Sequence, residues 1–240
     1  MDLEMDSVCI NDLNRELINV YEQIKEHPDK LIECLKKHEK KHCHDYYYRL
    51  RDLDRTKSFS KLDNTQKAAR TIYLNRVCYN GLYRVNSKGQ FNVPFGRYSK
   101  PEIVLDDRIH LLSDYLNNKR IRILNVDFEE AIKAAKEGDI VYLDPPYDYD
   151  SEGFTAYTPS GFSRADLERL KRVCDGLIRN GCLVIISNND TKFVNKIFHD
   201  PKYKIIHVNS RWTIGRNRSS RKPKKEVIIY GKKDSVSTGR

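Results

Sequence analysis

The sequence predicts an α/β fold, a mainly parallel sheet with helices on both faces, interrupted by a second, largely helical domain. Three observations lead there. From residue 121 onward, short apolar runs alternate with amphipathic helical stretches, the rhythm of βαβ units. One run, Ile140-Val141-Tyr142-Leu143, reads as a buried strand and is halted by Asp144-Pro145-Pro146, because two successive prolines can neither extend a strand nor donate to its ladder. Residues 28–119 have a different character, helical and charge-rich, then punctuated by glycine and proline. They read as an inserted domain, with residues 1–27 and 120–240 forming the sheet domain.

Taken in order, Ser7-Val8-Cys9-Ile10 predicts a short strand. Asn11-Asp12 opens a helix that places Leu13, Leu17, Ile18, Tyr21 and Ile24 on one face. His27-Pro28-Asp29 interrupts it. Residues 29 to about 79 are helical in pattern, with a break near Thr56-Lys57-Ser58. Gly81, Gly89, Pro94 and Gly96 then mark hairpin and loop composition over 80–100. A helix is expected from Pro101 to about Leu116, with proline in its first turn. Ile121–Val126 is a strand and Phe128–Glu137 a short helix. Ser163–Arg179 is an amphipathic helix with Ser163 as N-cap and Asp166 at the third helical position. Leu183–Ser187 is a strand and Lys192–His199 a short helix. Ile205–Val208 and Val227–Tyr230 close the chain as a hairpin, followed by a polar tail.

At 240 residues the chain can bury a substantial core. Its formal net charge of +10 suits a polyanionic partner such as nucleic acid, although a merely soluble basic protein would carry the same charge. No signal peptide or long apolar run occurs, and the six cysteines are scattered without paired spacing. Reduced thiols and a cytoplasmic setting are therefore expected.

The strand stop leaves a carboxylate, a rigid turn and an aromatic ring at the carboxyl end of a strand, where open α/β sheets bind ligands. Asp144-Pro145-Pro146-Tyr147 suits attack by an exocyclic amino group of a nucleobase. That nitrogen is a poor nucleophile because its lone pair is delocalised into the ring. The Asp144 carboxylate and the Pro145 carbonyl could accept its two N–H bonds and draw it towards tetrahedral geometry, while Tyr147 stacks on the base. The plain alternative is a strand-ending turn with an incidental acid.

In Tyr79–Asn86 and Gly89–Tyr98, arginines alternate with Tyr, Asn and Phe. Arg can hold guanine O6 and N7 with two bonds, Asn can do the same for adenine, and aromatic or leucine side chains can wedge into a base stack. A surface hairpin with ordinary aromatic packing fits equally well. The stretch Asn209–Lys225 carries Arg211, Arg216, Arg218, Arg221, Lys222, Lys224 and Lys225 between two strands, which is either a phosphate-contacting loop or a solvated charge run. His38-Glu39-Lys40-Lys41-His42 matches the zinc-protease pattern H-E-x-x-H. Four surrounding lysines oppose a dication, and no partnered third ligand follows, so no metal is expected and a solvated helix face is the better account.

Taken together, these motifs resemble, from about residue 7 to 231, the Dam-type DNA adenine-N6 methyltransferases. The resemblance rests on Asp144-Pro145-Pro146-Tyr147, Asn80-Gly81-Leu82-Tyr83-Arg84, Phe91–Tyr98, Phe154-Thr155-Ala156-Tyr157 and Ile186–Thr191. It implies a Rossmann-like class I methyltransferase sheet with an inserted, mainly helical DNA-recognition domain bearing a β-hairpin. S-adenosylmethionine is the implied methyl donor, and the implied target is an adenine flipped out of double-stranded DNA, in GATC as the best site. A restriction endonuclease is a possible partner. Asp144, Pro145, Pro146 and Tyr147 match the catalytic motif that holds the adenine. Asp12 matches the acid on the cofactor ribose, Asp127 and Phe128 the pair on its adenine, and Asp144 also borders the cofactor. Tyr79, Asn80 and Leu82 match the hairpin that enters the DNA, and Arg84 the guanine reader. Asn86, Arg97, Arg211, Arg218 and Arg221 are further DNA contacts. One feature departs from the family, whose start carries a glycine-rich loop for the methionine part of the cofactor. This chain has no glycine before Gly81. The expectation is a sheet lacking its first strand and half the cofactor pocket, with the missing part encoded upstream of Met1. The alternative is a truncated, inactive DNA-binding remnant.

Overall fold

The computed structural model describes residues 7–118, 120–150, 161–210 and 224–233. Its architecture is mixed α/β, with helices and two sheets, and the chain divides into two compact units, Met1–Ala131 and Ile132–Arg240. Among the described residues no helix is long and apolar enough to cross a membrane.

In the first unit, β1 (Ser7–Asn11) pairs in parallel with β2 (Arg120–Leu124), from Ser7↔Arg120 to Asn11↔Leu124. The next helix, α1 (Arg15–Glu26), opens later than the sequence suggested. Asn11 completes the strand, where its side-chain amide donates to the Val126 carbonyl at 3.0 Å and accepts from the Val126 amide at 3.1 Å. Asn14 is the actual cap, accepting the Glu16 and Leu17 amides. Leu13 therefore falls outside the helix and is exposed, and Leu17 is also largely exposed. The inward face is Ile18, Val20, Gln23 and Ile24.

α2 (Pro28–Lys40) starts on its proline, where no amide hydrogen is needed. A break at 41–43, not foreseen, separates it from α3 (His44–Arg51). Two short 3₁₀ turns, Asp52–Arg55 and Phe59–Lys61, flank the expected break. α4 (Asn64–Val77) begins with a reciprocal Asp63–Gln66 capping box. α5 (Asp106–Asn118) starts five residues after Pro101. The Arg76 guanidinium grips the Glu102 carbonyl through Nε and Nη2, at 2.8 and 2.7 Å, and Ile103 is buried, so 101–105 stays out of the helix. The core of this unit includes Leu31, Leu35, Tyr47, Ala68, Tyr73, Val77 and Leu116, all fully enclosed. α6 (Phe128–Ala131) is one turn long rather than ten residues.

In the second unit the strand order is β3-β4-β6-β5. β3 (Ile140–Leu143) runs parallel to β4 (Leu183–Asn189), whereas β6 (Lys224–Gly231) is antiparallel to both β4 and β5 (Tyr203–Ser210). The terminal antiparallel pair matches expectation. The single, mainly parallel sheet does not. Among the described residues two ladders are parallel and two antiparallel, and no described strand pairs with the outer edge of β1 or β3. As an edge strand, β3 is only half-buried, with Val141 inward and Tyr142 62% exposed. α7 (Arg164–Arg179) carries the anticipated Ser163–Asp166 capping box and buries Leu167, Leu170, Cys174, Leu177 and Ile178. α8 (Lys192–Ile197) is capped by Thr191.

Candidate active site

The prolines end β3 as the sequence requires, and the loop after it is fastened to the end of β4. The Asn188 side-chain oxygen accepts the Asp148 amide at 2.8 Å and the Asn189 amide at 2.9 Å. Asn189 Nδ2 donates to the Asp148 carbonyl at 2.7 Å. The Asp148 carboxylate, 7% exposed, is closed off by Thr191 Oγ1 at 2.7 Å and by Arg164, whose Nε and Nη2 lie 2.9 and 3.2 Å away. Arg164 also stacks on the Phe193 ring, 4.8 Å from its centroid. A buried carboxylate saturated by a bidentate arginine and a hydroxyl is structural, and it fixes the segment that follows Asp144-Pro145-Pro146-Tyr147.

Asp144 differs. It is exposed, and Ser187 Oγ on β4 donates to its Oδ1 at 2.6 Å. Tyr142 on β3 places its hydroxyl 3.2 Å from the same serine oxygen. Burial raises the Tyr147 hydroxyl pKa, and this hydroxyl also bonds with Ser187. Pro145 and Pro146 are half-buried. The result is a shelf with a carboxylate and a half-buried aromatic ring on two well-anchored strand ends. Ser187 and Asn188 lie in the Ile186–Thr191 segment that carries the resemblance, but neither they nor Asp148 and Arg164 were given a role from the sequence. A further signal was the abrupt change from Ile185-Ile186 to Ser187-Asn188-Asn189 at the end of an apolar strand.

The first unit brings Asp12 and Asp127 to the carboxyl ends of two adjacent parallel strands. Asp12 follows β1, accepts the Asn14 amide on Oδ1 at 2.6 Å, and has its carbonyl held by Asn125 Nδ2 at 2.7 Å. Asp127 follows β2 and accepts the Glu129 amide at 3.0 Å, so it caps α6, whose first residue is Phe128. Strand ends of this kind are ligand-binding positions in α/β sheets. Asp12, Asp127 and Phe128 belong to one unit and Asp144–Tyr147 to the other.

Residues 79–98 form a folded loop with two isolated antiparallel bridges, Cys78↔Phe95 and Val85↔Phe91, rather than a regular hairpin. The turn begins at Asn80 and Gly81, both left-handed with φ of 54° and 60°. Gly96 is obligatory for a different reason. A Cβ there would lie 2.6 Å from the Cys78 carbonyl oxygen and 2.8 Å from that of Val77, so only glycine lets this segment touch the end of α4. Tyr79 and Asn80 are exposed, and Leu82 packs partly against the core. Arg84 is exposed and held side-on, with Nε 2.6 Å from Asn92 Oδ1 and Nη2 3.1 Å from the Asn92 carbonyl. Asn86 is engaged in the turn itself, accepting the Lys88 and Gln90 amides and donating to Gln90 Oε1. Arg97 is exposed, with a left-handed φ of 57°. Phe154–Tyr157, Arg211, Arg218 and Arg221 lie outside the described residues.

The histidines of H-E-x-x-H are taken up by tyrosines. His38 Nδ1 is 2.6 Å from the Tyr46 hydroxyl and His42 Nδ1 is 2.8 Å from that of Tyr73. The helix ends at Lys40, so His42 is not on it, and the expected solvated face is instead a partly buried aromatic cluster.

Comparison with known proteins identifies the family. The family described as D12 class N6 adenine-specific DNA methyltransferase matches residues 2–214. The chain belongs to this family. The chain is 43% identical over 234 residues to the Type II methyltransferase M1.LlaDCHI of Lactococcus lactis subsp. cremoris, covering 96% of its own length and 82% of the relative's. It is 36% identical over 207 residues to the Type II methyltransferase M.MjaIII of Methanocaldococcus jannaschii, covering 81% and 70%. It is 29% identical over 242 residues to the DNA adenine methylase of Escherichia coli K12, covering 99% and 84%.

Proposed function

We propose that this methyltransferase transfers a methyl group from S-adenosylmethionine to N6 of an adenine flipped out of duplex DNA, with GATC as the recognition sequence. The observation that carries the proposal is the Asp144-Pro145-Pro146-Tyr147 shelf at the end of β3, with Asp144 exposed and oriented by Ser187. Residues 1–27 and 120–240 serve catalysis in a Rossmann-like sheet, and 28–119 serve target recognition. The setting is cytoplasmic, and the printed names of two relatives, Type II methyltransferases, favour a partner restriction endonuclease.

The residues present fit the ribose and adenine parts of the cofactor. Asp12 offers a carboxylate for ribose hydroxyls at one strand end, and Asp127 with Phe128 offers a polar and an aromatic contact for its adenine at the next. When bound, S-adenosylmethionine supplies an electrophilic methyl group. The chain's own residues ready the acceptor nitrogen. Asp144 and the Pro145 carbonyl accept its two N–H bonds, which localises the lone pair, and Tyr147 stacks on the extruded base. No general base is required, because the proton leaves nitrogen after methylation and can pass to water. Tyr79, Asn80 and Leu82 fill the space the base vacates. The Arg84 edge turned away from Asn92 reads guanine. Asn86, Arg97, Arg211, Arg218 and Arg221 hold the backbone.

Tritium transfer from labelled S-adenosylmethionine to GATC-containing and GATC-free duplexes tests this. Incorporation confined to GATC duplexes is expected. Equal incorporation into both would remove the specificity, and duplex binding without incorporation would turn the chain into an inactive binding module.

A further inference from the structure

We infer that Ser187 is a positioning residue for the methyl-acceptor site, holding the Asp144 carboxylate in the one rotamer that presents its second oxygen to the substrate amino group. The inference rests on the proposed adenine chemistry and adds a residue to it.

Hydrogen-bond directions carry the argument. An ionised carboxylate only accepts, so in the 2.6 Å contact Ser187 must spend its single hydrogen on Asp144 Oδ1. The Tyr142 hydroxyl, 3.2 Å from Ser187 Oγ, must then be the donor in that contact, and the Tyr147 hydroxyl, which also bonds with Ser187, must donate as well. The order Tyr142→Ser187→Asp144 is thus fixed by chemistry rather than chosen. Its length matches a charge-assisted O–H···O⁻ bond. Asp144 is exposed, and without this bond its carboxylate would rotate and hydrate freely. With it, Oδ1 is occupied and Oδ2 remains as the acceptor for the incoming N–H. The geometry is also stiff at its base, because Ser187 sits in β4, one residue beyond the Leu143↔Ile186 pair that joins the strands. Asp148, four residues on from Asp144, is locked to the same strand end through Asn188 and Asn189. An acceptor misplaced by even an ångström loses much of its rate advantage.

The test compares Ser187→Ala, Ser187→Thr and Tyr142→Phe with the wild-type chain, measuring kcat, KM for a GATC duplex, duplex affinity and thermal unfolding. Ser187→Ala should lower kcat about 10- to 100-fold while KM and duplex affinity change less than about twofold. Ser187→Thr, which keeps the hydroxyl, should recover most of the rate. Tyr142→Phe removes an exposed hydroxyl, leaves Asp144 untouched and should lower kcat about two- to fivefold. It carries the test should Ser187→Ala fail to fold. A wild-type rate in Ser187→Ala or in Tyr142→Phe overturns the inference. So does a loss in Ser187→Ala that Ser187→Thr does not recover, or one that falls on duplex affinity and stability alone. A wild-type chain that binds duplex but transfers no methyl overturns the proposed function, and the inference with it. An active wild type beside an equally active Ser187→Ala overturns the inference alone.

Discussion

The Asp144 shelf and the 79–98 loop are held by opposite means. The shelf is fixed by polar bonds from the neighbouring strand to a short loop, and its working carboxylate stands at the surface with one oxygen engaged. The 79–98 loop is fixed mainly by burial, with its backbone also bonded to Asp54, Arg55 and Tyr47. Phe91 and Val93 are in the core, the Tyr47 hydroxyl holds the Val93 carbonyl at 2.8 Å, and Gly96 lies against the end of α4. Arg84 and Arg97 are exposed on that framework, whereas Asn86 is part of its turn. Chemistry needs one atom placed to a fraction of an ångström, which directional bonds supply. Recognition needs several side chains presented at once, which a packed backbone supplies.

The sharpest way to break this contrast is Asp144→Ala. Removing an acceptor used mainly in the transition state should lower methylation by about a thousandfold or more while duplex binding is largely retained. Because Asp144 is exposed, unfolding should shift by less than about 0.5 kcal/mol. A variant that keeps its turnover in the tritium assay would remove the shelf from the mechanism.

Gly96→Ala tests the packed half of the contrast. The new methyl group has no room against two backbone carbonyls, so the 79–98 loop must lift from α4. The expected loss is about 1–3 kcal/mol in thermal or denaturant unfolding, together with weaker duplex binding. If stability and binding are unchanged, the loop is not held by this contact. Arg84→Ala should act more locally. It leaves Phe91, Val93 and Gly96 in place and costs about 1–3 kcal/mol of discrimination at one base pair, read as methylation of duplexes altered at single positions. Uniform weakening across all duplexes would make Arg84 a phosphate contact instead.

The shelf was legible in the sequence and the role of its supports was not, for a physical reason. Two prolines after an apolar run dictate a strand stop locally, whatever the rest of the chain does. Ser187 and Asn188 lie some forty residues from the motif, and only the β3–β4 register brings them alongside it. The same distinction explains the helix starts. The Ser163–Asp166 box was readable because both partners are local. The delayed start of α5 was not, because Arg76 sets it from a different helix. The single parallel sheet expected from the strand rhythm became two sheets because alternation says which segments are strands, not which edges pair. The H-E-x-x-H pattern was judged on its lysines, and its tyrosine partners at 46 and 73 were invisible without tertiary structure.

Those tyrosines also give the contrast a pH dependence. His38 lies against Tyr46 and Tyr73, and His42 against Tyr73 and Phe95, on the side of the first unit that supports the 79–98 loop. Burial, with a smaller contribution from the Lys41 charge, lowers the His38 pKa from 6.5 to about 4, and burial alone lowers that of His42. Both histidines are thus more readily protonated in the unfolded chain than in the folded one. Their contribution to stability is complete above about pH 6.5 and declines as the pH falls through that value, and that of His38 is lost once the pH passes about 4. For His38 this amounts to on the order of 2 kcal/mol, allowing for its partial exposure. Acid should therefore weaken the recognition half first, seen as falling duplex affinity and earlier unfolding between pH 6.5 and 4. His38→Gln, which cannot take up a proton, should flatten that slope. An unchanged slope in His38→Gln would place the acid sensitivity outside His38, and carboxylates such as Asp63 and Asp175 could not supply it, because their own depressed pKa values place their losses below pH 4.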